Sequence, residues 1–156
     1  MWIPLALALA LSSCRPPKAP PAPPDPVKLP QARLTVESRA GATALDVEVA
    51  RDDPSRERGL MFRPAMPAGV GMLFIFRTSE PHVFWMKNTL VPLDMLFLDD
   101  HGRIVGIIEN AEPLTLTPRD PHAPSRYVLE VAGGTAFAHG WRAGDKVDLP
   151  ALPEAR

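Results

Sequence analysis

The stretch Phe84-Trp85-Met86-Lys87-Asn88-Thr89, followed by Pro92-Leu93-Asp94, concentrates the chemistry-bearing side chains of this sequence. Large apolar residues run directly into an ammonium, an amide and a hydroxyl. A proline then interrupts the chain, and a carboxyl group sits inside the next apolar run. In an extended Leu93 to Leu98, Asp94 shares a face with Leu96 and Leu98, so an ionised group there needs a cation or several donors. Lys87, Arg58 and Arg63 are the candidate partners. Lys87 alternates with Trp85 and Thr89, which allows a cation held beside an aromatic wall or a snorkelling surface lysine. Arg58-Gly59-Leu60-Met61-Phe62-Arg63 places two guanidinium forks, suited to carboxylate or phosphate, around an apolar knob. Asn88 fits a bend that satisfies backbone groups. Together Arg58, Arg63, Trp85, Lys87, Asn88 and Asp94 are the expected site, and its simplest chemistry is binding of a small polar or anionic ligand. One alternative is an enzyme with Asp94 as acid or base and Lys87 as electrophilic stabiliser. The other is a structural or partner-binding protein in which the cluster only fixes strands.

Other chemistries lack their local signatures. The 4 histidines show no zinc-ligand spacing. Met61, Met66, Met72, Met86 and Met95, with His82, repeat at no spacing that suits a soft-metal site. No Gly-rich phosphate loop and no Gly-x-Ser-x-Gly elbow is present. No metal and no cofactor is expected. A formal net charge of −1 gives no basic field for nucleic acid. Glu130, between Leu129 and Val131, falls opposite the core face defined by Tyr127, Leu129 and Val131, where a solvated or paired carboxylate is expected. Trp141 and Phe137 read as core.

The elements that position these groups are short strands. Leu34 to Glu37 and Leu45 to Val49 alternate apolar and polar residues. Asp53, as N-cap, and Pro54 open a short helix through Leu60. Met72 to Phe76, Val83 to Met86, Leu93 to Leu98, Arg103 to Ile108 and Tyr127 to Val131 read as strands, and Trp141 to Leu149 contains a closing one. Asn110 to Ser125 is a long proline-rich loop. Gly133-Gly134-Thr135 opens a helical turn that Gly140 ends. Even spacing of short strands without a long amphipathic helix predicts a mainly β fold, an antiparallel β-sandwich or flattened barrel with one or two short helices. Met72 to Phe76 is apolar on both faces, so the second face needs cover from the short helices and the long loop.

The organisation along the chain follows. With 156 residues there is room for one core. Ile3 to Leu11 is apolar, too short to span a bilayer and suited to a secretory h-region. Leu11-Ser12-Ser13-Cys14 then resembles a bacterial lipoprotein signal, although Met1 to Pro4 carries no basic residue. The expected plan is a signal peptide over 1–13, a lipidated Cys14 with a Pro-rich tether over 14–32, one β-domain over 33–150 and a tail over 151–156. Between Arg15 and Pro30, 8 residues are proline, a semi-rigid polyproline II spacer. With Cys14 the only cysteine, the domain has no thiol. The expected location is the cell envelope, anchored to the membrane by lipid and facing the periplasm. By the same resemblance, Arg15 after the cysteine, where an aspartate would be the usual inner-membrane retention cue, implies the outer membrane rather than the inner.

Arg58 to Arg63, Gly71-Met72-Leu73-Phe74, Phe84 to Thr89, Pro92-Leu93-Asp94, Tyr127-Val128-Leu129-Glu130 and Gly144-Asp145, in this order, resemble the domain-of-unknown-function family 192. The resemblance implies a small β-sandwich of jelly-roll type, often in exported proteins, and carries no established activity.

Overall fold

The computed structural model describes residues 28–152 and 154–156. The expected signal peptide, Cys14 and most of the tether lie outside the described residues.

Seven strands form one sheet in the order β5-β4-β6-β3-β2-β1-β7. They are β1 (Gln31–Ser38), β2 (Gly41–Ala50), β3 (Val70–Glu80), β4 (Leu93–Leu98), β5 (Ile104–Ala111), β6 (Ser125–Ala132) and β7 (Lys146–Asp148). All strand pairs are antiparallel except β2 with β3, which run parallel. The crossover between these two carries the helix α1 (Asp53–Arg58), as parallel neighbours require. The sheet curls, and an isolated bridge links its two ends. Arg103, just before β5, bridges to Lys146 of β7, and Val147 N–H reaches the Gly102 carbonyl at 2.8 Å. The fold is thus mainly β with two short helices, a single curled sheet forming a half-barrel rather than two stacked sheets. A half-barrel hides its edge strands without a second layer.

Two apolar cores result, one on each face of the central strands. The inner one gathers Leu34, Val36, Leu45, Val47, Leu73, Ile75, Leu96, Leu98, Leu129 and Val131, with Trp141 at one end. The outer one contains Met72, Phe74, Met95, Phe97 and Val128 under Leu60, Met86 and Leu93. The all-apolar run of β3 therefore feeds both cores, and α1 and the segments after β3 and β5 supply the cover.

Several boundaries differ from the sequence reading for local reasons. The N-cap of α1 is Asp52, one residue earlier than expected. Its carboxyl accepts from Ser55 N–H at 2.9 Å while the Ser55 hydroxyl accepts from Asp52 N–H, a reciprocal capping box. Val83 to Met86 is not a strand of the sheet. Phe84 makes an isolated bridge to Arg119, and Met86 N–H donates to the Thr115 carbonyl at 3.0 Å. These apolar residues therefore pair with the proline-rich loop and are laid over the outer core. Phe137 on α2 (Thr135–His139) is 83% exposed, not core, whereas Trp141 is buried.

Candidate functional site

Asp94 points to the inner face of β4, at the mouth of the barrel, and is 0% exposed. No cation meets it among the described residues. One carboxyl oxygen accepts from Asn110 N–H at 2.7 Å and Gly134 N–H at 3.0 Å, and the other accepts from Ala136 N–H at 2.7 Å. Asp94 thus ties β4 to the end of β5 and to the first turn of α2. The local backbone is shaped for this. Gly134 takes φ 84° at the N-cap of α2, a conformation that glycine adopts freely. Gly133 N–H donates to the Pro92 carbonyl at 2.9 Å, and a Cβ on Gly133 would lie 2.7 Å from Asn110 Oδ1. The expected partnership of Asp94 with Lys87 is replaced by three backbone donors.

The outer face carries a different arrangement. An open cavity of about 580 Å³ lies between α1, β3, β6 and the segment Pro81 to Thr89. Its walls are Leu60, Phe74, Phe76 and Phe84. Phe84 meets Phe74 edge-on at 5.2 Å and Phe97 at 5.8 Å between ring centroids, a packing that holds the aromatic wall in place. Trp85 and Lys87 stand at the lip, both exposed. The Lys87 ammonium lies over the Trp85 ring, 5.6 Å from its centroid. Arg58 lines the same cavity.

Two further titratable groups line it, His82 half-buried and Glu130 buried. His82 stacks on Phe76, ring centroids 3.5 Å apart. Its Nε2 is buried without a hydrogen-bond partner among the described residues. Burial holds its imidazole below the usual histidine range. Glu130 is 4% exposed and lies beside Met72 of β3 and Met95 of β4 in the sheet. No ion pair reaches it among the described residues. Burial alone pushes its carboxyl up to about 8, so it is mostly protonated at neutral pH and offers an O–H donor.

Of the residues expected to form the site, the cavity brings together Arg58, Trp85 and Lys87. Arg63 lies apart, paired with Glu48. Asn88 lies behind the lip at φ 55°. Its carbonyl accepts from Phe62 N–H at 2.8 Å and its amide donates to Met61 Sδ at 3.8 Å, which locks the arginine-flanked turn to the Trp85 segment. Asp94 belongs to the other face of the sheet. Glu130 and His82 are the groups that sequence reasoning did not place in the site. The available signal was the two-sided apolar run Met72 to Phe76, which implies a covered outer face onto which Glu130 must project. Among the described residues no three His, Cys, Asp or Glu side chains cluster as a metal site.

Residues 34–149 match the model of DUF192, a family described as uncharacterized ACR. The chain belongs to this family. A crystal structure of a protein of unknown function from Novosphingobium aromaticivorans DSM 12444 superposes with a TM-score of 0.75 at 36% identity, covering 78% of this chain and 86% of that one. A crystal structure from Sinorhizobium meliloti 1021, described as "a putative transcription regulator", gives a TM-score of 0.75 at 40% identity, with 80% and 97% covered. No curated protein matches the chain.

Proposed function

We propose that this chain is a lipid-anchored cell-envelope domain whose outer-face cavity binds a small anionic ligand with an apolar body. The observation that carries the binding reading is the composition of that cavity: aromatic walls, a lysine ammonium held over Trp85 at the lip, and a volume of about 580 Å³. Sites for small molecules have this size and this mixture of apolar walls with few polar groups. An anion at the lip meets Lys87 and Arg58, while its apolar part is sheltered by Phe74, Phe76 and Phe84. Asp94 has no place in this site, because its oxygens are engaged by backbone donors on the inner face.

The anchor reading rests on the Leu11-Ser12-Ser13-Cys14 string after an apolar run and on the proline-rich spacer behind it. No helix among the described residues is long and apolar enough to cross a membrane. Several acyl chains on Cys14 would hold a domain stably at a surface, and by the resemblance to lipoprotein signals Arg15 points to the outer membrane. Cys14→Ser releases the protein from the membrane fraction on this reading; retention after that change contradicts the anchor.

The binding test uses benzoate-type anions against the parent and Lys87→Ala. Ligand at 100 times its dissociation constant stabilises the fold by about 2.7 kcal/mol, readable as a melting shift. Lys87→Ala weakens binding without lowering the unliganded melting temperature. Equal binding by the parent and by Lys87→Ala, Trp85→Ala and the double variant places the ligand elsewhere.

A further inference from the structure

A carboxyl group that is buried, lines a cavity and pairs with no cation has one favourable use toward a ligand. It donates its proton to an oxygen. We propose that Glu130 is the hydrogen-bond donor at the inner end of the cavity, so that the site selects apolar acids that also carry a carbonyl oxygen. This rests on the anion-binding reading of the same cavity.

The placement supports it. Glu130 is nearly inaccessible, whereas Lys87 and Trp85 at the lip are exposed. A ligand held by its anionic end at Lys87 therefore presents its other end toward Glu130. The residues directly beside Glu130 on β3 and β4 are Met72 and Met95, neither of which accepts a proton well. A carbonyl oxygen on the ligand would accept the carboxyl proton, and an ammonium in its place would have to strip that proton and form a buried ion pair. The charged groups that share the cavity are Arg56, Glu57 and Arg58 from α1, with His82 and Lys87 from the segment after β3. Arg56 is engaged by Asp53 at 2.6 Å and by the Ile75 carbonyl at 2.8 Å. Burial keeps the Glu130 carboxyl protonated through neutral pH, and it also holds His82 below the usual histidine range, so His82 stays uncharged across the window in which Glu130 titrates.

The test compares three probes that share one body and one anionic group: 4-acetylbenzoate, 4-ethylbenzoate and 4-(aminomethyl)benzoate. Affinities are measured on the full-length chain by NMR shift perturbation from pH 6 to pH 9.5. A neutral hydrogen bond is worth about 1 kcal/mol net. The acetyl probe is therefore expected to bind about fivefold tighter than the ethyl probe at pH 6. That preference fades as pH rises through the Glu130 titration, which carboxyl ¹³C shifts follow directly. Glu130→Gln, whose amide also donates, keeps the preference at every pH; Glu130→Met abolishes it while the ethyl probe still binds. If the acetyl and ethyl probes bind equally at pH 6, or the aminomethyl probe binds tightest, the donor role is overturned and the anion site stands. If none of the three binds, the anion-site reading falls and this inference falls with it.

Discussion

Asp94 and Glu130 occupy adjacent rungs of the β4–β6 ladder, Asp94 opposite Val131 and Met95 opposite Glu130. Their side chains leave through opposite faces of the sheet. Both are buried, yet their surroundings are unlike. Asp94 collects three backbone N–H donors at the barrel mouth, and Glu130 enters a methionine and phenylalanine layer beside an open cavity. The first carboxyl is a structural joint. The second is a titratable group in a ligand-sized space. The ligand-sized space therefore lies on the outer face, with Glu130 and not with Asp94.

The joint predicts a large stability effect at Asp94. An amide there keeps one acceptor oxygen, but its NH₂ faces a backbone donor. Asp94→Asn should cost about 2–4 kcal/mol, since hydrogen bonds to charged groups are worth about 1.5–3 kcal/mol and orphaned buried donors add to the loss. Chemical denaturation measures it. Affinity for benzoate probes, extrapolated to the folded fraction, should stay unchanged; a variant as stable as the parent that has lost binding would assign Asp94 to the site after all.

Glu130 sets a slope of stability with pH. Burial pushes its carboxyl from the ordinary 4.5 up to about 8 in the folded state. The folded state holds a proton that the unfolded chain releases, so rising pH favours unfolding. The contribution is fully present below 4.5, declines as pH rises, and is exhausted once pH passes about 8. Glu130→Gln should flatten the decline between pH 5 and 8 and raise stability at pH 8 by a few kcal/mol. A parent and variant with parallel denaturation midpoints across that range would show that Glu130 ionises as an ordinary surface carboxylate.

Much of the sheet was legible because half-buried strands must alternate. Leu34 to Glu37 and Leu45 to Val49 lie inside β1 and β2, and the facing of Asp94 with Leu96 and Leu98 holds in the inner core. The parallel β2–β3 pair was not legible, since strand direction depends on a crossover whose path periodicity does not encode. Val83 to Met86 has strand composition, but its backbone bonds go to Thr115 and Arg119; apolar residues that cover a core and those that build a sheet look alike in sequence. Glu130 was correctly assigned to the face opposite Leu129. The alternation within β6 alone does not show that this face is covered; the two-sided apolar run of β3 does, and that cover turns a surface carboxylate into a buried acid. Lys87 and Trp85 were legible as neighbours, whereas the cavity they edge depends on α1 folding back over β3.

The two tryptophans of the described domain should report different environments. Trp85 is 55% exposed beneath an ammonium, and Trp141 is 4% exposed at the end of the inner core. Acrylamide should quench one emission component strongly and the other weakly, and Trp85→Phe should remove the accessible one. Benzoate probes should protect the accessible component in the parent. Probes that leave the accessible component unprotected and change the Trp141 emission instead would mean that binding acts inside the barrel mouth.

The turn that carries Arg63 should matter through its backbone more than through its charge. Arg63 pairs with Glu48 at the surface, with side chains 37% and 26% exposed, and such pairs contribute about 0.2–1 kcal/mol. Asn88, by contrast, holds φ 55° and receives Phe62 N–H on its carbonyl, in a left-handed region that asparagine tolerates and β-branched residues do not. Asn88→Val should therefore destabilise the fold by about 1–3 kcal/mol and loosen the Trp85–Lys87 lip, lowering probe affinity. Asn88→Gly, which relieves the backbone, should restore most of the stability and leave affinity close to that of the parent. Arg63→Gln should shift the denaturation midpoint by less than either. If Asn88→Gly binds probe as poorly as Asn88→Val, the Asn88 side chain itself contacts ligand and the lip is more than a backbone hinge.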